Sequence, residues 1–259
     1  MPRIWKAVAC ICLLTVGIVL VLTFRRNRQE PARQAVAVEP ATPTDLVAHY
    51  DIGNNSTFDA PGCWQAVPRG PQTLGNVPFQ IGGLIQLWGK GPAGMGRVYR
   101  DKVEGLPVKG KFETLYILHG ASFATADGTP IAEVVFRYMD GTATTNEIQF
   151  GTNVRDWWQP RSERHPSAND PANKVVWRGR HPSLPGWAKS LRLFGTALRN
   201  PKPGTEVNAV DLVSTKSQVT WIVLAMTAGP AGFMKVAPKL DLDESEETEV
   251  DATDPDQKK

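Results

Sequence analysis

The chain has 259 residues with 21 Pro, 23 Gly, 21% charged side chains and a formal net charge of +3, a length that accommodates one large domain or two small ones. The sum conceals three regimes: residues 1–34 carry six Lys/Arg against one Asp/Glu, residues 35–238 twenty against sixteen, and residues 239–259 three against nine, which argues against one uniform globule. The central region has only a modest basic excess, no Lys/Arg cluster and no recognition motif, so nucleic acid is not an expected partner.

The first predicted element is an apolar run. Between Lys6 and Arg25 lie eighteen uncharged residues, Ala7 to Phe24, which as a helix span roughly 27 Å against a hydrocarbon core of ~30 Å. A cleaved signal peptide is the competing reading. Arg25, Arg26 and Arg28 occupy the place where cleavage wants small neutral residues, so an uncleaved transmembrane anchor over residues 1–24 is expected, in contact with the cell membrane through residues 7–24. Arg3 and Lys6 oppose Arg25, Arg26, Arg28 and Arg33 across it, and the positive-inside count mildly favours a cytoplasmic body. Cys10 and Cys12 lie within the run and Cys63 stands alone in the body, so cysteine usage reports no compartment.

Residues 25–44, rich in Arg, Gln, Pro and Ala without periodicity, read as a linker. From Asp45 to 235 the chain is punctuated by Gly and Pro and carries short runs of period two. Strands are predicted at Leu46–Ile52, Val77–Ile81, Leu84–Trp88, Val98–Val103, Phe112–His119, Ala132–Tyr138, Thr144–Phe150, Ser190–Gly195, Val207–Ser214 and Val219–Thr227. Asp140-Gly141, between two of these, predicts a type I′ hairpin turn, which needs positive φ at both central residues. The last strand is apolar on both faces and is expected to be central. Such strands without an amphipathic helix indicate an all-β, two-sheet sandwich. Residues 236–259 are acidic and nearly devoid of apolar side chains, the composition of a disordered tail.

The body resembles a galactose-binding-like jelly-roll module of the NPCBM type, found in membrane-anchored proteins of planctomycetes and verrucomicrobia. The residues that carry the resemblance are Asp45-Leu46 with Tyr50, Pro68-Arg69-Gly70, the run Val77 to Leu87, Leu115 to Gly120, Asp127 to Ile131, Tyr138 to Gly141, Val154 to Trp158, Trp177 and Asn200 to Gly204. It implies a two-sheet jelly-roll β-sandwich over about 180 residues, an extracytoplasmic position for it, and carbohydrate binding as one of several roles the fold hosts.

The most suggestive constellation is Arg155-Asp156-Trp157-Trp158. An indole stacks on the C–H face of a sugar ring, while a guanidinium and a carboxylate read its hydroxyls. The competing reading is that one Trp plugs the sandwich and the charged pair pins the loop; adjacent indoles in an extended segment point opposite ways, so one buried and one exposed is expected. His119, ahead of Gly120, is placed at a sheet edge where it either meets a ligand hydroxyl or bonds to a backbone carbonyl. Among the remaining tryptophans, Trp64 and Trp187 are expected to be exposed and join the candidate ligand-binding residues. The histidines lack metal spacing, no catalytic motif appears, and Asp127-Gly128 and Asp140-Gly141 read as turns. No catalytic residue, metal or cofactor is expected. The function indicated is a membrane-anchored, non-catalytic binding module with a glycan as the preferred ligand. Alternatives are a protein-interaction or structural domain with an envelope protein partner and, after that, a glycoside hydrolase.

Overall fold

The computed structural model describes residues 41–53, 63–159, 173–181, 190–232 and 234–238. The predicted anchor 1–24, most of the linker, Trp187 and the tail from residue 239 lie outside the described residues. No helix among the described residues is long and apolar enough to cross a membrane. Among the described residues thirteen strands form: β1 Thr42–Pro43, β2 Ile52–Gly53, β3 Gly70–Leu74, β4 Val77–Ile81, β5 Gly83–Gln86, β6 Lys102–Leu106, β7 Thr114–Ser122, β8 Pro130–Tyr138, β9 Ala143–Gln149, β10 Asn173–Arg180, β11 Ser190–Arg199, β12 Val207–Ser214 and β13 Thr220–Gly229. Two short helices, α1 Cys63–Ala66 and α2 Lys90–Gly94, accompany them.

The strands make an all-β, sandwich-like architecture. One antiparallel sheet runs β10-β11-β7-β13-β5-β2, with β1 also on β13; a second runs β6-β12-β8-β9; β3 and β4 form a separate hairpin. Val134, Phe136, Val210 and Leu212 of the smaller sheet pack against Ile117, Phe194, Trp221 and Val223 of the larger in one core. The opposite face of the larger sheet is also covered. Leu118, Leu193, Ile222 and Leu224 pack against Val77, Phe79, Trp64 and Trp157 in a second core. A sheet buried on both sides cannot alternate polar and apolar residues, which explains why β13 is apolar without a break from Trp221 to Met226. The outer face of the smaller sheet carries charge instead, with Arg137 Nε donating to Asp211 Oδ2 at 2.5 Å.

Leu224 is an extra residue against β7, since Val223 pairs with His119 and Ala225 with Leu118. This bulge shifts the alternation by one, so Trp221, Val223 and Met226 share the inter-sheet core while Leu224 and Ala225 face the other way.

Four sequence expectations are corrected. Leu46–Ile52 is not one strand: Asp45 Oδ1 accepts the Val47 N–H at 2.9 Å, turning the chain into a 3-10 helix over Val47–His49 before the two residues of β2. Thr42–Pro43 belong to the domain, since they pair with Thr227–Ala228. At the other end, the Ala237 N–H donates to Val175 O at 2.8 Å. The Asp140-Gly141 turn is not type I′, because of its two central residues only Gly141 has positive φ, +80°. The Gly141 N–H donates to Tyr138 O at 3.1 Å and the Tyr138 N–H to Thr142 O at 2.9 Å, the three-residue loop of a type I turn followed by a left-handed glycine. The hairpin itself forms as predicted.

Candidate functional site

The segment Arg155 to Gln159 is built into the larger sheet. Strands β7 and β11 pair from Thr114 to His119 and from Phe194 to Arg199, then diverge. The segment fills the fork between them. On one side the Ala121 N–H donates to Arg155 O at 3.2 Å and the Trp157 N–H to Ala121 O at 2.9 Å; on the other the Arg192 N–H donates to Trp157 O at 2.8 Å and the Gln159 N–H to Ser190 O at 3.1 Å. Its backbone polar groups are thereby satisfied between two strands.

The side chains of this segment divide. Arg155 is buried and donates from Nη2 to Asp127 Oδ2 at 2.6 Å, and its guanidinium lies over the Phe150 ring. Asp156 accepts the Trp158 N–H at 3.0 Å, an Asx turn that re-aims the chain after the fork. Both side chains hold the segment, through Asp127 and a backbone N–H rather than through the Arg155–Asp156 pairing of the competing reading. Trp157, 3% exposed, lies in the second core. Its Cβ sits so close to Gly120 that a Cβ built there would lie 3.0 Å away, which is why a glycine stands within β7. Trp158 is half-buried, packs against the same second core and stacks on His181 with ring centroids 5.5 Å apart and planes at 23°.

Both indoles border a cleft of about 160 Å³ at the end of the larger sheet. Gln86 on β5, Ser122 on β7, and Thr220 and Ile222 on β13 line it from the sheet, with Ile222 paired to Gln86 and Thr220 to Ser122. Pro92, Arg97, Tyr99, Phe123, Trp157 and Trp158 line it from the surrounding segments. The frame is held by backbone bonds. The Gln86 N–H donates to Asp51 Oδ2 at 2.6 Å, and the Asp51 carboxylate also holds Arg100. In α2, the N–H groups of Lys90 and Gly91 donate to Ser217 O and Gln218 O at 2.8 and 3.0 Å. Phe123 has φ +73°, a conformation that costs an aromatic residue on the order of 1–3 kcal/mol, and its ring packs against Gly91, where a Cβ would meet it at 2.8 Å.

The polar groups on the cleft floor are under-used. Gln86 is 2% exposed, and neither its side-chain amide nor the Ser122 hydroxyl makes a hydrogen bond among the described residues. Thr220 is 1% exposed and its Oγ1 also lacks a partner. No signal in a single sequence singled these residues out, apart from the polar side chain interrupting the apolar run Leu84-Ile85-Gln86-Leu87.

Two other candidates do not reach the cleft. His119 is 0% exposed and lies in mid-strand, because β7 continues through Gly120 and Ala121 to Ser122. It faces the inter-sheet core. There Trp221 Nε1–H donates to His119 Nδ1 at 2.8 Å, and His119 Nε2 lies 2.8 Å from Thr196 Oγ1. An indole is a donor only, so Nδ1 carries no proton and Nε2–H donates to Thr196; Thr196 Oγ1 donates in turn to Asn153 O at 3.3 Å. Trp64, expected at the surface, is 1% exposed in the second core, with the Arg69 guanidinium over its ring. Burial of an aromatic ring beneath the β3–β4 hairpin outweighs the turn-rich sequence around it. Among the described residues no group of three His, Cys, Asp or Glu is placed to hold a metal.

Burial pushes the His119 imidazole down from 6.5 to about 3. The unfolded chain takes up a proton near pH 6.5 that the folded protein refuses until about pH 3. His119 therefore contributes stability in full above pH 6.5 and loses it as the pH falls through that window, with a slope approaching ~1.4 kcal/mol per pH unit. Denaturant unfolding of the protein and of His119→Gln between pH 4 and 7 checks this: the substituted protein is expected to lose about one proton's worth of slope, and equal slopes would contradict the burial.

No protein-family model matches the chain, and no curated protein matches it. The reading of the site therefore rests on its geometry.

Proposed function

We propose that the protein is a single-pass, membrane-anchored binding module, with residues 7–24 as the anchor and a jelly-roll, galactose-binding-like β-domain held outside the cytoplasm to bind glycan. The observation that carries this reading is the cleft beside Trp158, where aromatic walls meet a floor of uncharged polar side chains. A sugar needs that combination, with apolar contact for its C–H face and neutral hydrogen-bonding partners for its hydroxyls. None of the ten lining residues is Asp or Glu, so the cleft does not offer the two carboxylates that glycoside hydrolysis uses. Asp127 is engaged by Arg155, and Asp140, at the other end of the strands, by Lys202. Binding without turnover is the reading that follows.

The test is a glycan array probed with the full-length protein in detergent. Retention of a neutral saccharide that is left intact is expected. Absence of any retained saccharide would overturn the reading, and release of a hydrolysed product would replace it with an enzyme.

A further inference from the structure

We infer that the cleft takes one uncharged, hydroxylated six-membered ring, the terminal residue of a glycan, and that Gln86 and Ser122 are the side chains that select it. This rests on the glycan reading above and narrows it from a chain to a single ring held end-on. Size is the first argument. A cavity of about 150 Å³ takes up one benzene, whereas sites for larger ligands run from roughly 300 to 1,000 Å³. At about 160 Å³ the cleft has room for one ring.

The floor gives the second argument. A buried hydrogen-bonding group without a partner costs on the order of 1–3 kcal/mol, and Thr220 Oγ1 is in that condition on the floor; beside it Gln86, in an otherwise apolar strand, lines the cleft with an amide that makes no side-chain hydrogen bond among the described residues. Its amide presents an acceptor and two donors together. A pair of neighbouring hydroxyls matches both functions, since each hydroxyl donates and accepts. A phosphate or carboxylate matches only the donors and brings its charge against Oε1. Ser122 lies on the far side of β13, because Ile222 pairs with Gln86 and Thr220 with Ser122. Ile222 pairs with Gly120 on β7, so Ser122 stands two strand spacings across and two residues along from Gln86, roughly 12 Å between their backbones, a gap that the two side chains and one hydroxylated ring fill between them.

Charge is the third argument. The one cationic side chain in the lining is Arg97, which is exposed and already engaged in another interaction. No carboxylate lines the cleft, so a cationic ligand has no partner there, and Arg97, exposed and engaged elsewhere, is not aimed at the floor as an anion's counter-charge. The rings of Trp158, Phe123 and Tyr99 supply the apolar walls.

The experiment is a competition titration on the full-length protein in detergent. A panel of methyl pyranosides of different configuration is set against the oligosaccharide that the array retains. One methyl pyranoside is expected to displace the oligosaccharide completely. Gln86→Leu is expected to weaken binding tenfold or more, about the loss of one well-placed hydrogen bond, with a melting temperature equal to or above that of the unsubstituted protein. Gln86→Met, closer in shape, is the second variant and is expected to do the same; Ser122→Ala should weaken binding about threefold. If the oligosaccharide binds and no methyl pyranoside competes, the single-ring inference is overturned while the glycan reading stands. Wild-type affinity in folded Gln86→Met overturns the assignment of the floor. If neither kind of saccharide binds, the glycan reading itself has failed.

Discussion

Replacing Trp221 by Ala is expected to lower the unfolding free energy by about 5 kcal/mol and the melting temperature by roughly 10–20 °C. The side chain is 0% exposed in the inter-sheet core, and truncating a buried Trp costs on the order of 3–5 kcal/mol through lost contact and residual cavity. The loss does not end there. His119 Nδ1 forfeits its donor at the same centre, and an orphaned acceptor in a dry core adds on the order of 1–3 kcal/mol. Trp221→Phe keeps most of the ring and loses only the bond, so a smaller drop is expected. A double-mutant cycle with His119→Leu separates the two contributions: if the hydrogen bond matters, Trp221→Phe and His119→Leu together cost less than their sum. Strict additivity would show that the bond contributes nothing beyond packing.

Trp157 and Trp158 are expected to answer to different measurements although they are neighbours in the chain. Trp157→Ala should cost ~3–5 kcal/mol of stability, because this side chain is 3% exposed and fills the space above Gly120. Trp158→Ala should cost ~1–2 kcal/mol, since the indole is half-buried and packed on His181, yet weaken saccharide binding tenfold or more where the protein is folded. Thermal melts beside a titration with the array-retained saccharide check the pair. Wild-type affinity in Trp158→Ala, or a Trp157→Ala protein that melts like the original, would contradict the division of labour.

The sequence anticipated unequal burial of the two tryptophans but not its reason, since the chain bends at Trp157 and both indoles pack on the second core, Trp157 buried and Trp158 half-buried. Strands β4 and β12 were legible to the residue, since β4 stands between turn residues and β12 is bounded by the loops after Gly204 and Ser214. Strand β3 was not, because Gly70-Pro71-Gln72-Thr73-Leu74 has one apolar side chain and becomes a strand only by pairing with β4. The type I′ turn assigned to Asp140-Gly141 occurs instead in that hairpin. Gly75 and Asn76 both have positive φ, +60° and +70°. His119 was misplaced because Gly120 reads as the end of a strand, when its role is to admit Trp157. The cleft floor was out of reach for another reason. Gln86, Ser122 and Thr220 are brought together only by the order β5-β13-β7, and no local pattern encodes that order.

The central claim is that a neutral sugar ring occupies the cleft beside Trp158. The indole N–H region of the NMR spectrum tests it most directly, since each of the eight tryptophans contributes its own resonance and Trp158→Phe identifies one of them. When a panel of methyl pyranosides is titrated into the full-length protein, the Trp158 resonance is predicted to move in a saturable way with at least one of them. The resonances of Trp221 and Trp64, buried in the two cores, are predicted to stay in place. A panel that moves no indole resonance, or one that moves others and leaves Trp158 where it was, would contradict the account.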